Sequence, residues 1–170
     1  RYPLVTGVQT CALPIYPAAN YAYKNHIMLL KAWIHLASEN IHEELHLTLN
    51  KREFGRIIKV HKLNISNCKI ILHGRVEHNK LLNFYNKIDV LIFPSLFESF
   101  GMPLIEAYCN KKEIIASELD YVRCLPIKLQ ESFDPNSYIS IANAVKRNLG
   151  IIYPNLKIIS CKEFLEFIYS

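Results

Sequence analysis

The stretch Asp89-Val-Leu-Ile-Phe-Pro-Ser-Leu-Phe-Glu98-Ser-Phe-Gly-Met-Pro-Leu-Ile-Glu106 decides the fold. Its apolar run at 90–93 stops at Pro94, which reads as a strand buried on both faces, as in a parallel sheet. Pro103 suits the first turn of a helix, where its missing N–H costs nothing, and Leu104, Ile105, Ala107 and Tyr108 continue that helix to residue 109. Glu98 therefore falls in the loop after a strand, and Glu106 in the first turns of the helix that follows. In an open α/β sheet this is where ligands bind. Gly101 permits close approach of a ligand to the backbone, and the helix start offers N–H groups to an anion such as a phosphate.

Apolar and polar periods alternate along the rest of the chain. A helix is predicted over 25–38, with Ile27, Leu30, Ile34 and Ala37 on one stripe widened by Leu29, Trp33 and Leu36. Residues 45–49 alternate as a strand does, and Phe54, Ile57, Ile58 and His61 mark a second helix. A strand at 69–73 ends at Gly74, and Asn79 caps a helix carrying Leu81, Phe84, Tyr85 and Ile88. After the glutamate loop come a strand at 113–116 and a short helix at 121–124 with Ser117-Glu-Leu-Asp120 as its capping box. A turn is expected at 132–135, a helix over 137–149, and a last helix capped from Ser160 that carries Phe164, Leu165 and Ile168. Strands alternate with helices throughout, so the expected class is α/β, a Rossmann-like parallel sheet flanked by helices.

Of the 170 residues 51% are hydrophobic, enough for a sizeable core and against disorder. The net charge of +5 favours anionic ligands only weakly. The five cysteines (11, 68, 109, 124, 161) form no CxxC pair, which suits unpaired thiols in a reducing compartment such as the cytoplasm. No apolar stretch approaches the roughly 20 residues of a spanning helix. Val5-Thr-Gly-Val-Gln-Thr-Cys-Ala-Leu-Pro-Ile15 resembles the in-frame translation of a sequencing-library adapter. Residues 1–15 are accordingly expected to be a leader foreign to the natural chain, whose last apolar residues can fill the slot of a lost strand, and 16–170 one compact domain.

Glu106 lies in an otherwise apolar helix, and Glu98 lies between Phe97 and Phe100, where a carboxylate without a partner would be costly. Ionised carboxylates are strong acceptors for sugar hydroxyls. Glu98-Ser-Phe-Gly-Met-Pro-Leu-Ile-Glu106 resembles the E-x7-E signature of the family 4 (group 1) glycosyltransferases, retaining enzymes of two-domain GT-B fold. The resemblance extends through Tyr16-Pro-Ala, Tyr23-Lys-Asn-His26, His73-Gly-Arg-Val76, Ile114-Ile-Ala-Ser117 and Phe133-Asp-Pro135. It corresponds to the C-terminal, donor-binding domain.

The resemblance implies that Glu98 accepts hydrogen bonds from the donor sugar and that Lys24 neutralises the departing diphosphate. It implies donor-binding roles for Phe100, Gly101, Met102, Leu104, Glu106 and Val76. In that picture the amides of Phe100, Gly101 and Met102 face the sugar and diphosphate, Glu106 holds the ribose hydroxyls, and the loop at Arg75-Val76 lies near the base. It implies no metal and no cofactor beyond the nucleoside-diphosphate sugar, which is the donor substrate. The implied partners are that nucleotide sugar and a glycan or lipid-linked acceptor held by an N-terminal domain outside this chain. Two features depart from the family. Its usual arginine before the lysine is missing from Ala18-Ala-Asn-Tyr-Ala-Tyr23, and its frequent glycine after position 109 is replaced by Asn110-Lys111-Lys112.

The rival readings are a glycosidase using the two glutamates as its carboxylate pair, a nucleotide-sugar epimerase, and a non-catalytic binding module. Asp89 reads as a surface residue at a strand start. His42 and His46 have metal-ligand spacing for a helix, but the chain turns toward a strand between them. Arg52, Arg56 and Lys59 make a basic helix face, by default solvated, otherwise a peripheral contact with anionic lipid at the inner membrane face or with polyphosphate. No GxGxxG occurs, against a dinucleotide cofactor, and no basic stripe with interleaved aromatics, against nucleic acid.

Overall fold

A computed structural model describes residues 13–76 and 85–152. Among them, six parallel strands form one sheet in the order β3-β2-β1-β4-β5-β6. The elements run β1 (Pro14–Tyr16), a 3₁₀ turn (Ala22–Lys24), α1 (His26–Ser38), β2 (Glu44–Leu47), α2 (Lys51–His61) and β3 (Lys69–Leu72). They continue with β4 (Val90–Phe93), α3 (Met102–Cys109), β5 (Glu113–Ser117), α4 (Asp120–Arg123), β6 (Glu131–Phe133) and α5 (Tyr138–Asn148). The helix capped by Asn79 lies outside the described residues except for its end at Tyr85, and the helix from Ser160 lies outside them entirely.

Chain order reverses between β1 and β4. The chain first winds outward through β2 and β3, then returns to β4 beside β1 and winds the other way. Such a reversal opens a crevice at the carboxyl ends of the two central strands. β4 is buried at all four positions, as its unbroken apolar run requires. Pro14 and Ile15, inside the expected leader, are buried in β1, where Ile15 pairs with His46 on one side and Leu91 on the other. Asp89 accepts a hydrogen bond from the Leu13 N–H at 3.2 Å, securing the start of that pairing.

Two local expectations differ from the structure. Ser117 does not cap α4: it is the last residue of β5, fully buried, and donates its hydroxyl proton to the Phe93 carbonyl at 3.2 Å. The turn expected at 132–135 begins inside an edge strand, β6, which pairs Ser117 with Phe133, and the turn itself starts at Asp134. As the turn toward a strand expected between them implies, His42 and His46 do not share a helix. His46 lies in β2, and its ring stacks on that of His73 with centroids 5.0 Å apart. α2 starts on a capping box absent from the expectations above, in which Asn50 accepts from the Glu53 N–H and Glu53 accepts from the Asn50 N–H.

Where the family's frequent glycine is missing, Lys111 takes the left-handed conformation at φ 54° and its N–H bonds the Tyr108 carbonyl. A side chain disfavours this region by roughly 1–2 kcal/mol, of which glycine gives back part through its freer unfolded chain. Lys111→Gly is therefore expected to stabilise the domain by about 0.5–1 kcal/mol. A raised urea midpoint at unchanged slope would show it, and a lowered midpoint would contradict it.

Candidate active site

The loops that leave β1 and β4 flank the crevice, and each sends one charged side chain into it. Lys24 closes the 3₁₀ turn after β1, and Glu98 lies in the loop after β4. Their side chains meet with Lys24 Nζ 2.5 Å from Glu98 Oε1, at 14% and 11% exposure. The ammonium also lies 5.3 Å from the centroid of the Tyr23 ring and 5.8 Å from that of Phe93. Phe97 and Phe100, the neighbours expected to surround Glu98 with apolar material, point outward at 68% and 59% exposure. Glu98 turns inward between them, so its partner comes from the opposite loop rather than from its own.

A buried polar bracket fixes the two loops relative to each other. The Tyr16 hydroxyl donates to the Lys24 carbonyl at 2.7 Å. Its single proton being used there, it accepts from Ser95 Oγ, 2.8 Å away. The Leu96 N–H reaches the Tyr23 carbonyl at 2.8 Å, and the Tyr121 hydroxyl donates to the Ser95 carbonyl at 2.8 Å. Asn25 adopts a left-handed conformation (φ 59°) and gives its amide protons to the carbonyls of Pro94 and Pro135, at 3.1 and 2.7 Å. Burial, with the charge of Glu98 adding to it, pushes the Tyr16 phenol well above its ordinary range, so it remains a neutral donor. Tyr16, Ser95, Asn25 and Tyr121 are the supporting residues that the sequence reading missed. An asparagine in the place of a turn glycine, directly after the candidate lysine, was the one available signal.

α3 begins at the outer wall of the crevice. Gly101, its N-cap, has φ 65°, a region that favours glycine, and a Cβ there would lie 3.1 Å from Leu104 Cδ1, a tight contact. No side chain caps this helix start. Met102 is about half exposed beside it. Leu104 departs from its expected place: its side chain is fully buried in the core and its N–H is used on the Gly101 carbonyl, so it offers nothing to the crevice. Glu106, one turn further on, accepts from the Tyr85 hydroxyl at 3.0 Å. Burial and the Glu106 charge together push that phenol above its ordinary range. Val76 lies on the far side of β1, bordering a cavity of about 180 Å³ with Ala18, Thr48, Glu53 and Arg75. The crevice thus brings together Lys24, Glu98 and the start of α3, with Val76 at the ends of the outer strands.

An open parallel sheet with charged groups at a switch point is a Rossmann-like α/β architecture. Residues 13–149 match the profile of the family described as glycosyl transferases group 1, and the chain belongs to that family. It is similar to a D-inositol 3-phosphate glycosyltransferase of Xylanimonas cellulosilytica, with 26% identity over 125 residues, covering 67% of this chain and 30% of the relative. Among solved structures, TarM superposes with a TM-score of 0.64 at 15% identity, over 86% of this chain and 30% of that one. A glycosyltransferase from Rickettsia africae does so with a TM-score of 0.63 at 21% identity, over 82% of this chain and 38% of that one. The chain spans well under half the length of each of these proteins. No helix of the described residues is long and apolar enough to cross a membrane.

Proposed function

We propose that this chain is the donor-binding domain of a retaining glycosyltransferase, which moves a sugar from a nucleoside diphosphate to an acceptor hydroxyl. The observation that carries the reading is the Lys24–Glu98 pair, assembled from two loops across the switch point. An arriving donor supplies a new partner to each member: its diphosphate to the ammonium and its sugar hydroxyls to the carboxylate. Glu106, held by Tyr85 on α3, is the acceptor for the ribose hydroxyls. The uncapped start of α3 at Gly101 adds main-chain N–H groups for phosphate oxygens. As the glycosidic bond breaks, charge builds on the leaving phosphate, and a positioned cation there stabilises the transition state. The acceptor binds in a domain outside this chain, and the domain alone transfers nothing.

Calorimetry separates the two carboxylates. Glu98→Ala is expected to weaken an intact nucleotide sugar by about 1.5–3 kcal/mol, the worth of a hydrogen bond to a charged group. It leaves the free nucleoside diphosphate unaffected or bound more tightly, because Lys24 loses its internal competitor. Glu106→Ala weakens both ligands. Equal losses from the two substitutions would contradict the assignment, as would a Glu98→Ala effect on free nucleotide matching that on the sugar conjugate.

A further inference from the structure

In the donor reading above, the sugar hydroxyls take Glu98 away from Lys24, and with it the one ion pair that the ammonium makes among the described residues. A lysine released in this way is a point charge on a flexible four-carbon stem. Its own loop offers no substitute for the carboxylate, since Pro17-Ala-Ala-Asn-Tyr-Ala-Tyr23 carries no acid. Asn25, the next residue, spends its amide protons on the carbonyls of Pro94 and Pro135. What stays beside the ammonium is aromatic.

The Tyr23 ring centroid lies 5.3 Å from Lys24 Nζ and that of Phe93 5.8 Å, both within the range of a cation–π contact. Tyr23 comes from the 3₁₀ turn and Phe93 from β4. Tyr21 stacks on Tyr23, with centroids 5.6 Å apart and planes 5° from parallel, which fixes the plane of the Tyr23 ring. Neither tyrosine belongs to the core, and they are 57% and 40% exposed. Burial therefore does not account for a stacked pair at the mouth of the crevice. The Tyr23 main chain is placed separately, by the Leu96 N–H on its carbonyl at 2.8 Å, so the ring is not what holds the loop.

An aromatic face suits this position better than a second carboxylate. It attracts the ammonium through its quadrupole and uses none of the three N–H donors, which stay available to phosphate oxygens. We propose that Tyr23, braced by Tyr21, is a positioning residue, which holds the Lys24 ammonium in the crevice when Glu98 turns to the donor sugar, so that the diphosphate meets a cation already in place. The proposal rests on the donor reading. In it Tyr23 acts through Lys24 and is not itself a ligand of the donor.

Two measurements test it. NMR of the isotope-labelled chain reads the Lys24 side chain directly. Ring currents should hold the Lys24 Hε resonances upfield of those of exposed lysines, and this displacement should persist in Glu98→Gln. It should shrink in Tyr23→Leu and survive in Tyr23→Phe. Calorimetry with UDP, GDP and ADP then reads the consequence. For the nucleotide that binds, Tyr23→Leu should weaken affinity about three- to tenfold, Tyr23→Phe should retain it, and Tyr23→Leu should add nothing in the Lys24→Met background. The proposal is overturned if the Hε resonances are unchanged in Tyr23→Leu, if Tyr23→Phe loses as much affinity as Tyr23→Leu, or if the losses from Tyr23→Leu and Lys24→Met add. A Lys24→Met variant that weakens the nucleotide beside a Tyr23→Leu variant that does not would overturn this proposal alone. Absence of nucleotide binding, or a Lys24→Met variant without effect on it, would overturn the donor reading and this proposal together.

Discussion

Replacing Lys24 with methionine in the full-length transferase is expected to lower kcat about 100- to 1,000-fold, the range seen when one preorganised charge-stabilising donor is removed. The ammonium sits largely out of water, over the Phe93 ring and against Glu98. There its field is less screened than on an open surface, and its position costs no rearrangement when the phosphate departs. The effect should fall mainly on kcat, with KM for the donor rising less, because the leaving group carries more charge in the transition state than in the ground state. Lys24→Met also strips Glu98 of its counterion. Removing one partner of a fully buried pair costs about 3–5 kcal/mol, and this pair, with both members still in contact with solvent, should cost less. Thermal unfolding of the variant separates that loss from the catalytic one. A variant that folds and retains its kcat would remove Lys24 from the mechanism.

Phe93→Ala is expected to destabilise the domain by about 3–5 kcal/mol, measured by urea unfolding, because the phenyl is completely buried in the central strand. Its ring meets Tyr16 edge-on at 5.7 Å and Tyr121 at 6.5 Å, so truncation leaves a cavity under the two phenols that hold the Ser95 loop. That is a large share of the 5–15 kcal/mol available to a typical domain. Phe93→Leu should recover most of the loss while removing the face beneath Lys24, and so separates packing from support of the ammonium. An Ala variant as stable as the parent would mean that β4 does not carry the core.

Long elements with one strong period were legible in the sequence. The Val90–Phe93 strand and the α3 helix follow from an unbroken apolar run and a proline at the first helical turn. β6 was not legible, because Glu131-Ser-Phe buries only its last residue fully and an edge strand of three has no period to read. The Ser117 motif misled for a related reason. A serine, three residues ahead of an acid, reads as a cap only when its hydroxyl faces a helix start, and here the sheet buries it. At the site, the two glutamates and the lysine stood out by type and context. Their contact did not, since Lys24 and Glu98 are 74 residues apart and meet only because strand order reverses between β1 and β4. Apart from Asn25, whose place directly after the lysine was a signal, the bracket of Tyr16, Ser95 and Tyr121 was invisible for the same reason: each residue taken alone looks like an ordinary loop or core position.

The most direct measurement is a crystal structure of the chain soaked with a nucleoside-diphosphate sugar. The account predicts the diphosphate on Lys24 and the start of α3, the sugar hydroxyls on Glu98 Oε1 in place of the ammonium, and the ribose on Glu106. A donor bound with the Lys24–Glu98 pair still closed, or with the two glutamates facing different ligand-free surfaces, would contradict it.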